Sequence, residues 1–255
     1  MSNKREREKR REQRLQEETT VDSGERRTRL LQMGAGAVFL VVVAVVALIV
    51  INSGSDSGGD ASNLEGVSEV EAELDGIAQE ELVLGDPQAK VELIEYGDLQ
   101  CPVCKQYAEQ VLPQVIENKV ENGQAKIVFR NFTIIGPESA TAGAAAIAAG
   151  AQDRGWNFLD LFYRNQGREN GGYIDDEFLT AVAKGAGVEN IAKWEKERKS
   201  KKLINEVKAH FEEAQGLGLT GTPTFAVKGP STDGLELLGT PGSPDELESA
   251  IDTAS

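Results

Sequence analysis

Apolar and polar positions divide the 255-residue chain into one uninterrupted hydrophobic run, a polar stretch and a body whose periodicity changes several times. Residues 30–55 carry no charge, and 33–51 are almost wholly apolar. About 20 helical residues rising ~1.5 Å each cross a hydrocarbon core of ~30 Å, so 30–51 predicts a single transmembrane helix. No polar face breaks that run, which argues against a buried core helix. Residues 52–80 read as an acidic, Ser/Gly-rich flexible linker with a reach of roughly 30 Å and room for a short helix after residue 64. Folded patterning is expected from residue 81. A short strand at 81–84 and a Gly85-Asp86-Pro87 turn lead to a stronger strand at 90–96. Helical spacing then runs over 103–121, with Tyr107, Val111 and Val115 on one stripe and Pro113 expected to kink or end its first part.

Residues 125–135 predict a second main strand. After it come about 80 residues of helical patterning, 137–216: an Ala-rich helix, an aromatic cluster around Trp156, Phe158 and Phe162, a helix capped by Asp175, and further helices marked by Trp194 and by Leu203, Val207 and Phe211. Strand character returns at 223–227 and 235–238, and Ser243-Pro244 opens a last helix. The order predicts an α/β fold, with a sheet interrupted by a helical insertion.

Charge adds a topology. The formal net charge is −15, which disfavours nucleic acid as a partner. Residues 1–29 hold ten Lys/Arg and seven Asp/Glu, so a head of +3 precedes a body of −18. Arg26, Arg27 and Arg29 abut the apolar run, which predicts a cytoplasmic tail at 1–29 and an extracytoplasmic remainder at the cell membrane. A cleaved signal peptide fits less well, because the head is long and no A-x-A site follows.

Cys101 and Cys104 are the only cysteines. Two thiols at CxxC spacing, where a strand gives way to a helix, predict redox chemistry. A zinc site would need two more ligands, and the one histidine, His210, reads as a helix-surface residue. Cys101 falls at the helix mouth, where free N–H groups and the dipole favour thiolate. A term of up to ~2 kcal/mol corresponds to about 1.5 pH units. Cys104 lies one turn in and would resolve the mixed disulfide formed at Cys101. Asn131-Phe132-Thr133 matches a glycosylation pattern, but inside a predicted strand it reads as chance.

These residues resemble the exported DsbA family of thiol–disulfide oxidoreductases, which have a thioredoxin fold. The resemblance covers about residues 81–254. Its marks are Leu93-Ile94-Glu95-Tyr96 before Cys101-Pro102-Val103-Cys104, the helical insertion, and the loop from Leu217 through Gly221-Thr222-Pro223-Thr224-Phe225. It implies a cis bond before Pro223, and substrate contacts at Pro102, Val103, Thr222 and Pro223. It also implies Glu95 as a buried acid that exchanges protons near Cys104. Val91, Leu93 and Glu95 share one strand parity, which favours the inward face. The expected activity is introduction of disulfides into exported proteins with free thiols. No cofactor or metal is required, and reoxidation would fall to a membrane quinone-linked partner. A reductase or isomerase is the alternative, and a non-catalytic peptide-binding module a more distant one. The family's strongest oxidants carry His where this chain has Val103, so a milder oxidant is expected.

Overall fold

The computed structural model describes residues 61–255. The predicted tail at 1–29, the predicted membrane span at 30–51 and the first part of the linker lie outside the described residues. Among those described, no helix is long and apolar enough to cross a membrane.

The chain enters through a 3-10 turn at Ala61–Asn63 and a helix, α1 (Val67–Leu74). The sequence allows a short helix after residue 64; the correction to the linker reading is that this helix packs into the core instead of being part of a flexible spacer. Leu64, Val67, Val70 and Leu74 form a helical stripe, and Val70 and Leu74 are buried in the main core. Acidic residues occupy the outer face, which is why composition alone suggested a solvated spacer. Two short strands follow, β1 (Gln79–Glu80) and β2 (Val83–Leu84). Glu81 sits between them at φ 54°, so the expected strand at 81–84 begins two residues late.

The centre of the fold is β3 (Val91–Gly97), α2 (Pro102–Gln110), α3 (Leu112–Val115), a π turn at Ile116–Val120, and β4 (Ala125–Asn131). Pro113 lies in the first turn of α3, directly after the break at Val111; a ring without N–H is tolerated only there. β3 and β4 pair in parallel, Glu95 opposite Phe129. The insertion then contributes α4 (Pro137–Gly150), α5 (Gly155–Arg164), α6 (Asp176–Gly185), α7 (Ile191–Arg198) and α8 (Lys201–Gly216). The chain returns as β5 (Thr224–Lys228), antiparallel to β3, then β6 (Glu236–Gly239) and α9 (Pro244–Ala254). The six-stranded order is β1-β2-β4-β3-β5-β6.

β3 is buried on both faces. Val91 and Leu93 join the main core, whereas Ile94 and Tyr96 pack into a second cluster with Val128, Phe132 and Ala226, closed by Ala214 near the end of α8. In α4 the run of small side chains lets neighbouring helices approach closely, and Trp194 of α7 is fully buried with its indole N–H on the Ala145 carbonyl, 2.9 Å away. β4 ends at Asn131 rather than Ile135, because the N–H groups of Ile134 and Ile135 turn to the Asp98 carboxylate at 2.8 and 2.9 Å. His210 is not a surface residue. It is half-buried on α8, and its Nδ1 accepts from the Asn131 N–H at 3.4 Å. Burial first, then Arg130, push its pKa down to about 4. Asn131 is itself 1% exposed, which removes it as a glycan acceptor.

Candidate active site

Cys101 is the N-cap of α2, with extended backbone (φ −75°, ψ 119°) and Pro102 at the first helical position. Its sulfur accepts from the Cys104 N–H at 3.4 Å and lies 3.4 Å from the Thr222 carbonyl. The Thr222–Pro223 bond is cis, and Pro223 packs immediately before β5. The cysteines are unbonded to each other, so the geometry is that of the dithiol form. Val103 projects outward, 42% exposed, and Pro102 is also exposed.

The two sulfurs are driven apart electrostatically. The Cys104 thiol first, then the Thr222 side chain and the N–H groups of Cys104 and Val103, bond toward Cys101 and outweigh its burial, holding its pKa down at about 6. Cys104 is fully buried, and burial, its hydrogen bond to Cys101 and the negative charges of Glu95 and Cys101 push its thiol well up. Burial, followed by repulsion from the Cys101 thiolate, pushes Glu95 up to about 8. Glu95 is 1% exposed, and its Oε1 has no hydrogen-bond partner among the described residues.

Glu95 is nevertheless not sealed in. It lines a cavity of 530 Å³ behind the redox pair, walled by Leu112, Phe129, Trp156 and Tyr163 and reaching Glu73 and Asp160. Burial, partly offset by Arg164, pushes Asp160 up to about 6. The cavity therefore carries two carboxyls that can hold protons near neutrality.

A family model for thioredoxin matches residues 78–253. The chain belongs to the thioredoxin family. Its relatives include the probable disulfide bond formation protein D of Bacillus cereus, 28% identical over 204 residues that cover 77% of this chain and 88% of that protein. Disulfide bond formation protein D of Bacillus subtilis is 24% identical over 147 residues, covering 57% of this chain and 66% of that one. Among solved structures, oxidised BdbD from Bacillus subtilis superposes with a TM-score of 0.61 at 20% identity, covering 71% of this chain and 98% of that one. DsbA2 from Pseudomonas aeruginosa gives 0.55 at 24% identity, covering 71% and 97%. Within the thioredoxin family the chain is a thiol–disulfide oxidoreductase that shares its fold with the DsbA structures.

All seven residues singled out from sequence fall in one region of this thioredoxin-family domain. Glu95 lies beneath the cysteines, while Pro102, Val103, Thr222 and Pro223 surround Cys101. Sequence reasoning missed a set that holds the turn before Cys101. Asp98 is fully buried; besides Ile134 and Ile135 its carboxylate accepts from the Gln100 N–H at 2.9 Å, and its carbonyl accepts from the Cys101 N–H. An Asp three positions before the helix mouth is an Asx-turn signal that could have been read. Tyr163, Gln166 and Asn170 come from the insertion, more than 60 positions downstream, and nothing local in the chain marks them.

Proposed function

We propose that this protein is a membrane-tethered, extracytoplasmic oxidase that introduces disulfides into exported proteins through Cys101 and Cys104. The carrying observation is the split between a Cys101 sulfur held at about 6 and a Cys104 sulfur pushed far up, beside the cis Thr222–Pro223 bond. A group that prefers to be thiolate stabilises the reduced enzyme and so makes the oxidised form a better oxidant. In the oxidised protein, a substrate thiolate attacks the Cys101 sulfur and the Cys101–Cys104 bond breaks. The electron pair leaves on Cys104, whose sulfur takes the proton that neutral Glu95 supplies. A second substrate thiolate then attacks the substrate sulfur, and Cys101 departs as thiolate. The substrate is oxidised by two electrons and the enzyme is left as a dithiol. The cavity behind Glu95 lets that carboxyl regain a proton while substrate covers the front.

Pro102, Val103, Thr222 and Pro223 supply the substrate surface, with the backbone of Thr222, just before β5, available to pair with an extended client segment. The uncharged run at 30–51 with its flanking arginines supports the tether and the orientation. A membrane quinone-linked protein would accept electrons from the dithiol, a role carried only by the family resemblance. The test uses the purified full chain. It should oxidise a reduced, unfolded secretory protein stoichiometrically, Cys101→Ser should abolish this, and Cys104→Ala should trap clients on Cys101. A redox equilibrium with glutathione as reducing as thioredoxin's own would instead make it a reductase.

A further inference from the structure

The peptide leading into Cys101 is held from the insertion as well as from its own strand and helix. Gln166, in the loop after α5, donates from Nε2 to the Leu99 carbonyl at 2.8 Å and to the Cys101 carbonyl at 3.1 Å. A glutamine amide has two N–H groups, and the two acceptors use both. Tyr163, three residues earlier, donates its hydroxyl to the Asp98 carbonyl at 3.4 Å. The Gln100 side chain reaches outward, bonding Ser139 of α4 at 2.9 Å and the Asn170 N–H at 2.7 Å. Three of the four carbonyls from 98 to 101 thus end on insertion side chains.

We propose that Gln166 is a positioning residue for the redox pair: by gripping the peptide planes on both sides of residues 100 and 101 it aims the Cys101 sulfur at the helix mouth. This inference rests on the oxidase reading. The Leu99 carbonyl belongs to the plane before Gln100, and the Cys101 carbonyl to the plane that opens α2. Fixing both sets the extended ψ of Cys101, the angle that keeps its sulfur on the Cys104 N–H at 3.4 Å. The Cys101 carbonyl also accepts the first bond of the helix, from the Lys105 N–H at 3.1 Å, so Gln166 and α2 share one acceptor. With apolar Val103 between the cysteines, no side-chain charge among the described residues stabilises the thiolate, which depends on how its sulfur is aimed at the Cys104 thiol and at the N–H groups of Val103 and Cys104. Thiolate stabilisation is thereby tied to a residue of the helical insertion.

The experiment is the pH dependence of iodoacetamide alkylation of the reduced full chain, together with its equilibrium with glutathione. Cys104 is pushed far up, so the acidic midpoint reports Cys101. Gln166→Leu removes both donors and keeps bulk. It should raise the midpoint by about 0.5 pH unit, a roughly threefold loss of thiolate below the midpoint, and make the protein a correspondingly weaker oxidant. Gln166→Glu keeps length but turns the donor into a charged acceptor, and should raise the midpoint further. It also decides the matter if the Leu variant does not fold. Asp175→Ala, which removes the cap of α6 at a distance, serves as the control: it should lower the unfolding midpoint and leave the alkylation midpoint in place. Gln166 variants that behave like this control, losing stability with an unmoved midpoint and unmoved glutathione equilibrium, overturn the proposal alone. A wild-type midpoint as high as a free thiol's would instead overturn the oxidase reading on which it depends.

Discussion

Replacing Glu95 by Gln should make the reduced protein more stable, and only at high pH. Glu95 is 1% exposed, and burial with repulsion from Cys101 pushes its pKa from 4.5 up to about 8. Between those values the unfolded chain has lost the proton that the native state still holds. Native stability from this group therefore falls as pH rises from about 4.5 and stops falling above about 8. At about 1.4 kcal/mol per pH unit the full penalty of the buried carboxylate is at most roughly 5 kcal/mol, large against the net stability of an ordinary domain. A glutamine at this position has no charge to bury. Urea unfolding of the reduced full chain, wild type against Glu95→Gln, should show a gain of several kcal/mol at pH 8.5 that closes as pH approaches 4.5. In the disulfide form the Cys101 thiolate is gone, so the gain should persist but shrink, because desolvation is the larger cause. Parallel stability curves across this range would refute a neutral buried Glu95 and with it the proton donor to Cys104.

Val103→His places a hydrogen-bonding, chargeable ring beside the Cys101 sulfur and should lower the alkylation midpoint and strengthen oxidation; an unchanged titration would show that this side chain does not tune the thiolate. Trp194→Ala removes a fully buried indole and its bond to the Ala145 carbonyl, and should cost about 3–5 kcal/mol in urea unfolding while leaving the alkylation midpoint of Cys101 in place. A loss below about 1 kcal/mol would mean that the helical insertion is not packed around this residue.

The secondary pattern and the reactive pair were legible in the chain because both are local. Period 2 at β3, period 3.6 through the insertion, Pro113 at a helix break and Asp175 at a cap each depend on a few adjacent residues. Cys101 at a helix mouth is equally local, since its activation comes largely from the Cys104 thiol and the N–H groups just after it. Misreadings arose where a distant contact overrode composition. Acidic residues around α1 looked like solvated spacer, yet Val70 and Leu74 found a core to cover. His210 looked like an exposed helical residue, yet it accepts a bond at the end of β4.

Only the assembled structure decides how far each sulfur and carboxyl departs from its solution behaviour. That Glu95 faces Cys104's side of the sheet is a matter of strand parity, but the burial of its Oε1 without a partner among the described residues and the cavity it lines require helices from three parts of the chain. The hold of Tyr163, Gln166 and Asn170 on the active-site turn is likewise invisible in one dimension, because a hydrogen bond between positions 101 and 166 leaves no periodicity behind. Short-range stereochemistry writes helices, turns and caps into the order of residues; desolvation and long-range hydrogen bonds come into being only when separate segments meet.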